Sequence, residues 1–262
     1  MELFGPNTIV DGAPEPGFVV TRRPNTKAEG AAYEKAVLAL RARIAGAPFG
    51  RRMLELLCNN IAPTLNKMNA AVVSVYAADG AAVGEVTTSK IPGVSSEEVT
   101  VAGTGRGSVA VLLFHPNGTF DGLRADVLLL HELVHAYRKA QGRWAKLPIQ
   151  QFLDPGQSDL HFPNWEEWFA VAVESTYAAE AGVPKVRIGH DAFSTWSLFM
   201  ADQNGTMNFT GRTFSQNFAD RYWRAIERIL QQEPEIYRAM AASAAWFNPV
   251  RDFERDMLSS RT

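Results

Sequence analysis

Two histidines and a glutamate form the most reactive pattern in this sequence. His131, Glu132 and His135 stand in the order His-Glu-x-x-His inside an apolar, helix-forming stretch. On a helix, residues four apart project from the same face, so both imidazoles can reach one ion. Zinc suits such a site because it takes nitrogen and oxygen ligands tetrahedrally and leaves one position open. The spacing therefore predicts a Zn²⁺ site at His131 and His135, with Glu132 beside it as general base.

The residues around this motif predict that its helix is buried. The helix is apolar on several sides, through Val127, Leu128, Leu130 and Val134. The alternative is a surface helix that carries two histidines by coincidence, and such apolar flanks argue against it. A buried glutamate beside two histidines would also be costly without a metal or a polar partner. The flanks therefore favour metal binding.

A catalytic zinc site needs a third protein ligand, and the segment 164–170 is where we expect to find it. A glutamate in the first turn of a helix beginning there could face the histidines across the long connection 143–163. Glu167 and Glu166 are the two candidates in that turn. Each also has an explanation without metal: Asn164 and Glu167 match a capping box, and Glu166 could be an exposed acid favoured by the helix dipole. Further candidates in the preceding connection are Asp154, Asp159 and His161.

The remaining chemistry-bearing side chains are interpreted as structural. His115 and His190 are isolated histidines, which are more often structural residues than metal ligands. Tyr222 and Trp223 fall on an amphipathic helical pattern and are expected in the core. A side chain that stabilises the oxyanion is expected in a hydrolase site, but no residue is selected for that role.

Composition excludes some classes of protein. The chain has 262 residues, enough to bury a hydrophobic core without disulfides or structural metals. Its 26 basic and 28 acidic residues give a net charge of -2. That balance argues against nucleic-acid binding.

The single cysteine, Cys58, excludes an internal disulfide and suits a reducing cytosol. No stretch approaches the roughly 18 apolar residues that cross a bilayer, so no membrane insertion is expected. The start of the chain lacks the features of a cleavable signal peptide, so export would need a specialised machine or release from a larger chain.

The elements that must position the motif follow from periodicity and from turn residues. Residues 1–27 are rich in proline and glycine and predict an extended lead-in or linker, followed by one domain at 28–262. Helices are predicted at 28–45, 51–59, 123–141, 164–181, 217–231 and 233–245. Strands are predicted at 71–76, 83–88, 99–101 and 108–114, with a glycine-rich turn at 103–107. Residues 185–215 are predicted to be irregular.

The motif helix resembles a known family. His131-Glu132-Leu133-Val134-His135-Ala136-Tyr137-Arg138, followed by Gly142, is similar to the core of NleD-like bacterial effector metallopeptidases, which are zincins delivered into other cells. The resemblance covers residues 28 to about 182 and implies a small sheet before the motif helix. The segment 167–170 also resembles the ligand-bearing helix of some glutamate-type zincins. That similarity implies Glu167, rather than Glu166, as the third zinc ligand. Residues 185–262 match no family.

Together these observations predict an α+β, zincin-like metallopeptidase with a small twisted sheet, an HExxH helix and a mainly helical C-terminal part. The expected reaction is hydrolysis of peptide bonds in a protein or peptide substrate. The resemblance implies a bacterial effector or toxin, exported without a cleavable signal peptide into the cytosol of a recipient cell. A secretion apparatus or an immunity protein would then be a partner. The alternatives are a housekeeping cytosolic metallopeptidase and a non-catalytic binding module stabilised by zinc.

Overall fold

The computed structural model describes residues 2–5, 8–11, 27–59, 73–77, 84–88, 110–117, 123–145, 147–159, 161–187, 189, 198–200 and 214–259. The chain divides into two compact units. The first comprises Met1–Gly46 and Leu54–Ala145, and the second comprises Ala47–Met53 and Lys146–Thr262. Among the described helices, none is long and apolar enough to cross a membrane.

The first unit contains a five-stranded mixed sheet. Its strands are β1 (Glu2–Gly5), β2 (Thr8–Asp11), β3 (Val73–Ala77), β4 (Gly84–Thr88) and β5 (Ala110–Phe114). They lie in the order β1-β2-β3-β5-β4. β3 pairs in parallel with β2 and β5, whereas the two outer pairs are antiparallel. Ala110, Leu112 and Phe114 are fully buried, as alternate residues on one face of a strand should be.

Two helices of the first unit pack with this sheet. Helix α1 (Lys27–Gly46) contacts α3 (Ala125–Ala140), and α3 contacts β5. Helix α1 buries an apolar stripe at three- and four-residue spacing, through Tyr33, Val37, Leu40 and Ile44. The Tyr33 hydroxyl donates to the Phe114 carbonyl at 3.2 Å and so links α1 to β5. The motif helix α3 is therefore held from two sides within this unit.

The second unit is mainly helical. Its elements are a 3₁₀ turn (Ile149–Phe152), α4 (Trp165–Glu180), the strands β6 (Lys185–Arg187) and β7 (Leu198–Met200), α5 (Phe214–Arg221), α6 (Trp223–Gln232), α7 (Pro234–Ala242) and α8 (Pro249–Ser259). Helix α2 (Pro48–Asn59) begins in this unit and ends in the first. Stacked aromatic rings form part of the core, with Trp168 on Phe218 and Trp165 on Phe169. A buried ion pair of 2.8 Å joins Glu174 on α4 to Arg187 on β6.

Several predicted elements are confirmed with small shifts in their ends. The predicted helices at 28–45, 51–59, 123–141, 164–181 and 233–245 correspond to α1, α2, α3, α4 and α7. The predicted strands at 71–76, 83–88 and 108–114 correspond to β3, β4 and β5. The predicted strand at 99–101 and the turn at 103–107 lie outside the described residues.

The prediction of one continuous helix at 217–231 is wrong. Helix α5 ends at Arg221 and α6 begins at Trp223, so the helix is interrupted at Tyr222. The Tyr222 hydroxyl donates to the buried Asp159 carboxylate. Burial, and then the charge of Asp159, raise the pKa of Tyr222 well above its ordinary value, so the hydroxyl stays a donor at neutral pH. Tyr222 therefore lies between two helices with its side chain buried and hydrogen-bonded to Asp159.

Other elements were missed by the sequence patterns. β6 and β7 form a short antiparallel pair inside the segment 185–215, which was predicted to be irregular. Helix α8 was not predicted, although Asn248 accepts from the Arg251 amide at 3.0 Å and so caps its start. Within the predicted lead-in 1–27, residues 2–5 and 8–11 form strands of the sheet. The predicted domain boundary at residue 27 stays a prediction.

Candidate metal centre

The two motif histidines lie on one face of α3 and are buried. His131 is 3% exposed and His135 is 4% exposed. Their ring centroids are 4.6 Å apart, and the ring planes are inclined at 86°. The two Nε2 atoms are 3.0 Å apart. The helix therefore brings both imidazoles to one point, as the four-residue spacing predicted.

This separation fits a pair of zinc ligands. Tetrahedral zinc with Zn–N bonds of about 2.0–2.1 Å places two ligand nitrogens roughly 3.3 Å apart. The observed 3.0 Å is close to that value. The same separation also fits a hydrogen bond between two neutral imidazoles, if one Nε2 carries the proton. Metal binding and a direct hydrogen bond are therefore alternative states of the same pair.

Glu132 follows His131 on α3 and is more exposed than its neighbour. Its side chain is half-buried, whereas both motif histidines are buried. Successive helix residues are about 100° apart, so the carboxylate projects beside the imidazoles and not along their row. A carboxylate placed there can exchange protons with water near the histidine pair.

Glu167, the predicted third ligand, belongs to the second unit and stays a prediction. Glu167 occupies the first turn of α4, where the Asn164 side chain accepts from the Glu167 backbone amide at 3.1 Å. That cap uses the backbone of Glu167 and not its carboxylate. Helix capping and metal ligation by this residue are therefore compatible.

The other candidates for a third ligand have different surroundings. Glu166 is completely buried on α4. Asp154 forms an ion pair with Arg224 at 2.7 Å. Asp159 accepts from the Tyr222 hydroxyl and from the backbone amide of His161. These four residues stay candidates from the sequence. His115 is half-buried, and His190 lies outside the described part of the chain.

The sequence patterns missed Trp144, which contacts the motif directly. Its ring packs against His135 with centroids 4.9 Å apart and planes inclined at 71°. The Lys139 ammonium lies 4.5 Å from the centroid of the same indole. The available signal was the predicted end of the helix at Gly142, because a chain reversing there could return a large side chain to the helix.

Comparisons with known proteins add a structural likeness of low degree. No protein-family model and no curated protein matches the chain. Among solved structures, the light chain protease of botulinum neurotoxin serotype C1 is 13% identical, with a TM-score of 0.41 over 97% of this chain and 67% of that one. The serotype HA light chain is 14% identical, with a TM-score of 0.42 over 92% of this chain and 76% of that one. The type G light chain is 16% identical, with a TM-score of 0.38 over 88% of this chain and 57% of that one. A likeness of this degree assigns neither a fold nor an activity to the chain.

Proposed function

We propose that this chain is a zinc-dependent metallopeptidase of the zincin type. His131, His135 and Glu167 hold the metal, and Glu132 is the general base. The observation that carries this proposal is the pair of buried imidazoles on α3, whose Nε2 atoms lie 3.0 Å apart. Two nitrogens and one oxygen from protein form a ligand set typical of catalytic zinc, which leaves the fourth position open.

Each residue of the site has a separate role in the proposed hydrolysis. Bound zinc would supply Lewis acidity, which makes water more acidic and polarises the substrate carbonyl. Glu132 accepts a proton from the attacking water and then delivers it to the leaving amine, so one carboxylate acts as base and then as acid. The burial of His131 and His135 keeps their imidazoles in one geometry. Glu132, which is only half-buried, is the group that meets water and substrate.

We further propose that the substrate is a protein or peptide in a recipient cell, where the chain acts as a bacterial effector or toxin. The similarity of residues 131–138 to NleD-like effectors supports this role. The single cysteine is consistent with work in a reducing cytosol. A secretion apparatus that carries the chain, or an immunity protein that blocks it, would be its partner.

The proposal is tested by a search for newly formed protein N-termini in recipient-cell lysate treated with the zinc-loaded protein. Glu132→Gln serves as the inactive comparison, and Glu55→Gln, an exposed glutamate on α2, serves as the matched control. New termini should appear with the wild type and with Glu55→Gln but not with Glu132→Gln. Identical termini with all three proteins would contradict the proposal. Lack of toxicity on expression in recipient cells, with cleavage retained, would indicate the housekeeping enzyme.

A non-catalytic zinc module is the second candidate, because the histidine pair alone could serve a structural role. Measurement of the zinc content distinguishes this module from a site that binds no metal. Measurement of peptidase activity distinguishes it from the enzyme. Zinc bound at one ion per chain, without any cleavage that depends on Glu132, would establish the module. Absence of zinc would leave the direct hydrogen bond between His131 and His135 as the explanation of their geometry.

A further inference from the structure

The geometry points to Trp144 as a positioning residue for His135, one that tunes how tightly the site holds its metal. This inference rests on the proposed metal site, since it concerns a ligand of that site. It assigns to Trp144 no contact with substrate. Its basis lies wholly within the first unit, in the way the chain leaves α3 and returns to it.

Helix α3 ends in a reversal that brings the following residues back toward the motif. Gly142 adopts φ +68°, the left-handed conformation that glycine favours. The Arg143 amide donates to the Arg138 carbonyl at 2.9 Å, and the Gly142 amide donates to the Lys139 carbonyl at 3.1 Å. These two bonds are those of a Schellman motif. The buried Arg138 side chain adds a third bond, from Nη2 to the Arg143 carbonyl at 2.7 Å.

The indole of Trp144 contacts two side chains of the helix that precedes it. It is only 7% exposed, and its ring meets the His135 ring in a T-shaped arrangement at 4.9 Å. The Lys139 ammonium lies over the same ring at 4.5 Å. Lys139 follows His135 by one helical turn, so Trp144 bridges consecutive turns of one helix face. An indole held by a cation on one side and packed on an imidazole has little rotational freedom.

This arrangement restricts His135 in a way that matters for a metal ligand. An imidazole that rotates freely must lose that freedom when it binds an ion, and groups that orient the ring in advance remove this cost. The indole also covers the imidazole with apolar surface, which lowers the access of water to it. Trp144 therefore supports both the orientation and the shielding of His135. Loss of the hydrogen-bonded groups that orient a metal ligand typically costs about 10–100-fold in metal affinity, and the lower figure sets the scale expected for this packing contact.

The inference is tested by zinc affinity, measured by competition with a chromophoric chelator in the full chain. Trp144→Leu removes the aromatic ring and should weaken zinc binding by roughly tenfold or more. Trp144→Phe keeps one ring and should show a smaller weakening. In Co²⁺-loaded protein the visible absorption should change in both variants, because it reports ligand geometry. The matched control is Trp223→Leu, which removes an indole that also has a cation over its ring, Arg224 at 4.3 Å.

The outcomes separate positioning from simple packing. If Trp144 only fills the core, its variants should melt at lower temperature while zinc affinity and the Co²⁺ spectrum match those of Trp223→Leu. Such a result in either folded Trp144 variant overturns the inference, so Trp144→Phe decides if Trp144→Leu does not fold. A wild-type protein that binds no zinc would instead overturn the proposed function. If the wild type binds one zinc per chain and the Trp144 variants bind it more weakly, the result supports both the inference on Trp144 and the proposed function.

Discussion

Glu132 and His131 are neighbours in sequence but meet different surroundings. The imidazole of His131 is buried, whereas the carboxylate of Glu132 is half-buried. A ligand gains from burial because a fixed, dry ring binds an ion at low entropic cost. A general base needs contact with water and substrate. The difference in exposure therefore matches the different roles proposed for the two side chains.

Glu132→Gln should separate proton transfer from metal binding. Glutamine keeps the size of the side chain and its helix propensity but cannot accept the proton. Because general acid–base catalysis typically contributes about 10²–10⁴-fold, peptidase activity should fall by at least about a hundredfold. Zinc content, measured by elemental analysis, should remain one ion per chain. Loss of zinc together with activity would show that Glu132 belongs to the metal site.

Glu167→Ala should mainly lower zinc affinity, whereas Asn164→Ala should mainly lower folding stability. Removal of the Glu167 carboxylate should weaken zinc binding and activity together, because it removes the proposed third ligand. Removal of the Asn164 cap should cost about 0.5–2 kcal/mol of stability with little change in zinc affinity. Zinc titration and urea unfolding of both variants measure the two effects. Unchanged zinc affinity in Glu167→Ala would transfer the ligand role to another residue.

Helices α3 and α4 end in the same way. Each is followed, two residues after its last residue, by a glycine with positive φ: Gly142 at +68° after α3 and Gly182 at +72° after α4. After α4, the Val183 amide donates to the Ala178 carbonyl at 2.8 Å, as Arg143 does to Arg138 after α3. The helix lengths are therefore set by glycines that accept a left-handed backbone.

Gly182→Ala should destabilise the protein through its backbone alone. A Cβ at this position would meet no atom within 4 Å, so no clash contributes. The left-handed conformation should cost roughly 1–2 kcal/mol for alanine. Gly46→Ala is the matched control: Gly46 ends α1, is equally open, and does not adopt a left-handed φ. Urea unfolding should show a lower midpoint for Gly182→Ala than for Gly46→Ala, and equal midpoints would contradict the assigned conformation.

Local patterns predicted the elements of the site better than the contacts between elements. The helix periodicity of Val127 to Val134 and the stop at Gly142 are local signals, and they correctly located α3. The break at Tyr222 was not predictable in this way, because the apolar period continues through it. The hydrogen bond of Tyr222 to Asp159, distant in sequence, was equally outside the reach of a local pattern. The contact of Trp144 with His135 depends on the direction of a reversal that periodicity does not encode.

For the molecule as a whole, zinc binding should raise the stability of the folded chain against unfolding. A ligand that binds only the folded chain stabilises it by RT ln(1 + [L]/Kd), about 2.7 kcal/mol at a free concentration of 100 Kd. Added zinc should therefore raise the melting temperature by several degrees, and a chelator should reverse the change. The double variant His131→Ala, His135→Ala should melt at the same temperature with and without zinc. A zinc-dependent shift that persists in this variant would place the ion elsewhere.

The position of β2 beside β3 has a consequence for any shortened form of the chain. β2 and β3 pair in parallel from Thr8–Val73 to Asp11–Tyr76. A chain that began at Lys27 would lack both β1 and β2, which would leave one side of β3 as an open sheet edge. Its exposed amides and carbonyls would be a template for strands of other molecules, and such edges promote aggregation. Residues 2–5 and 8–11 thus cover the edge of β3, and β1 becomes the outer strand on that side of the sheet.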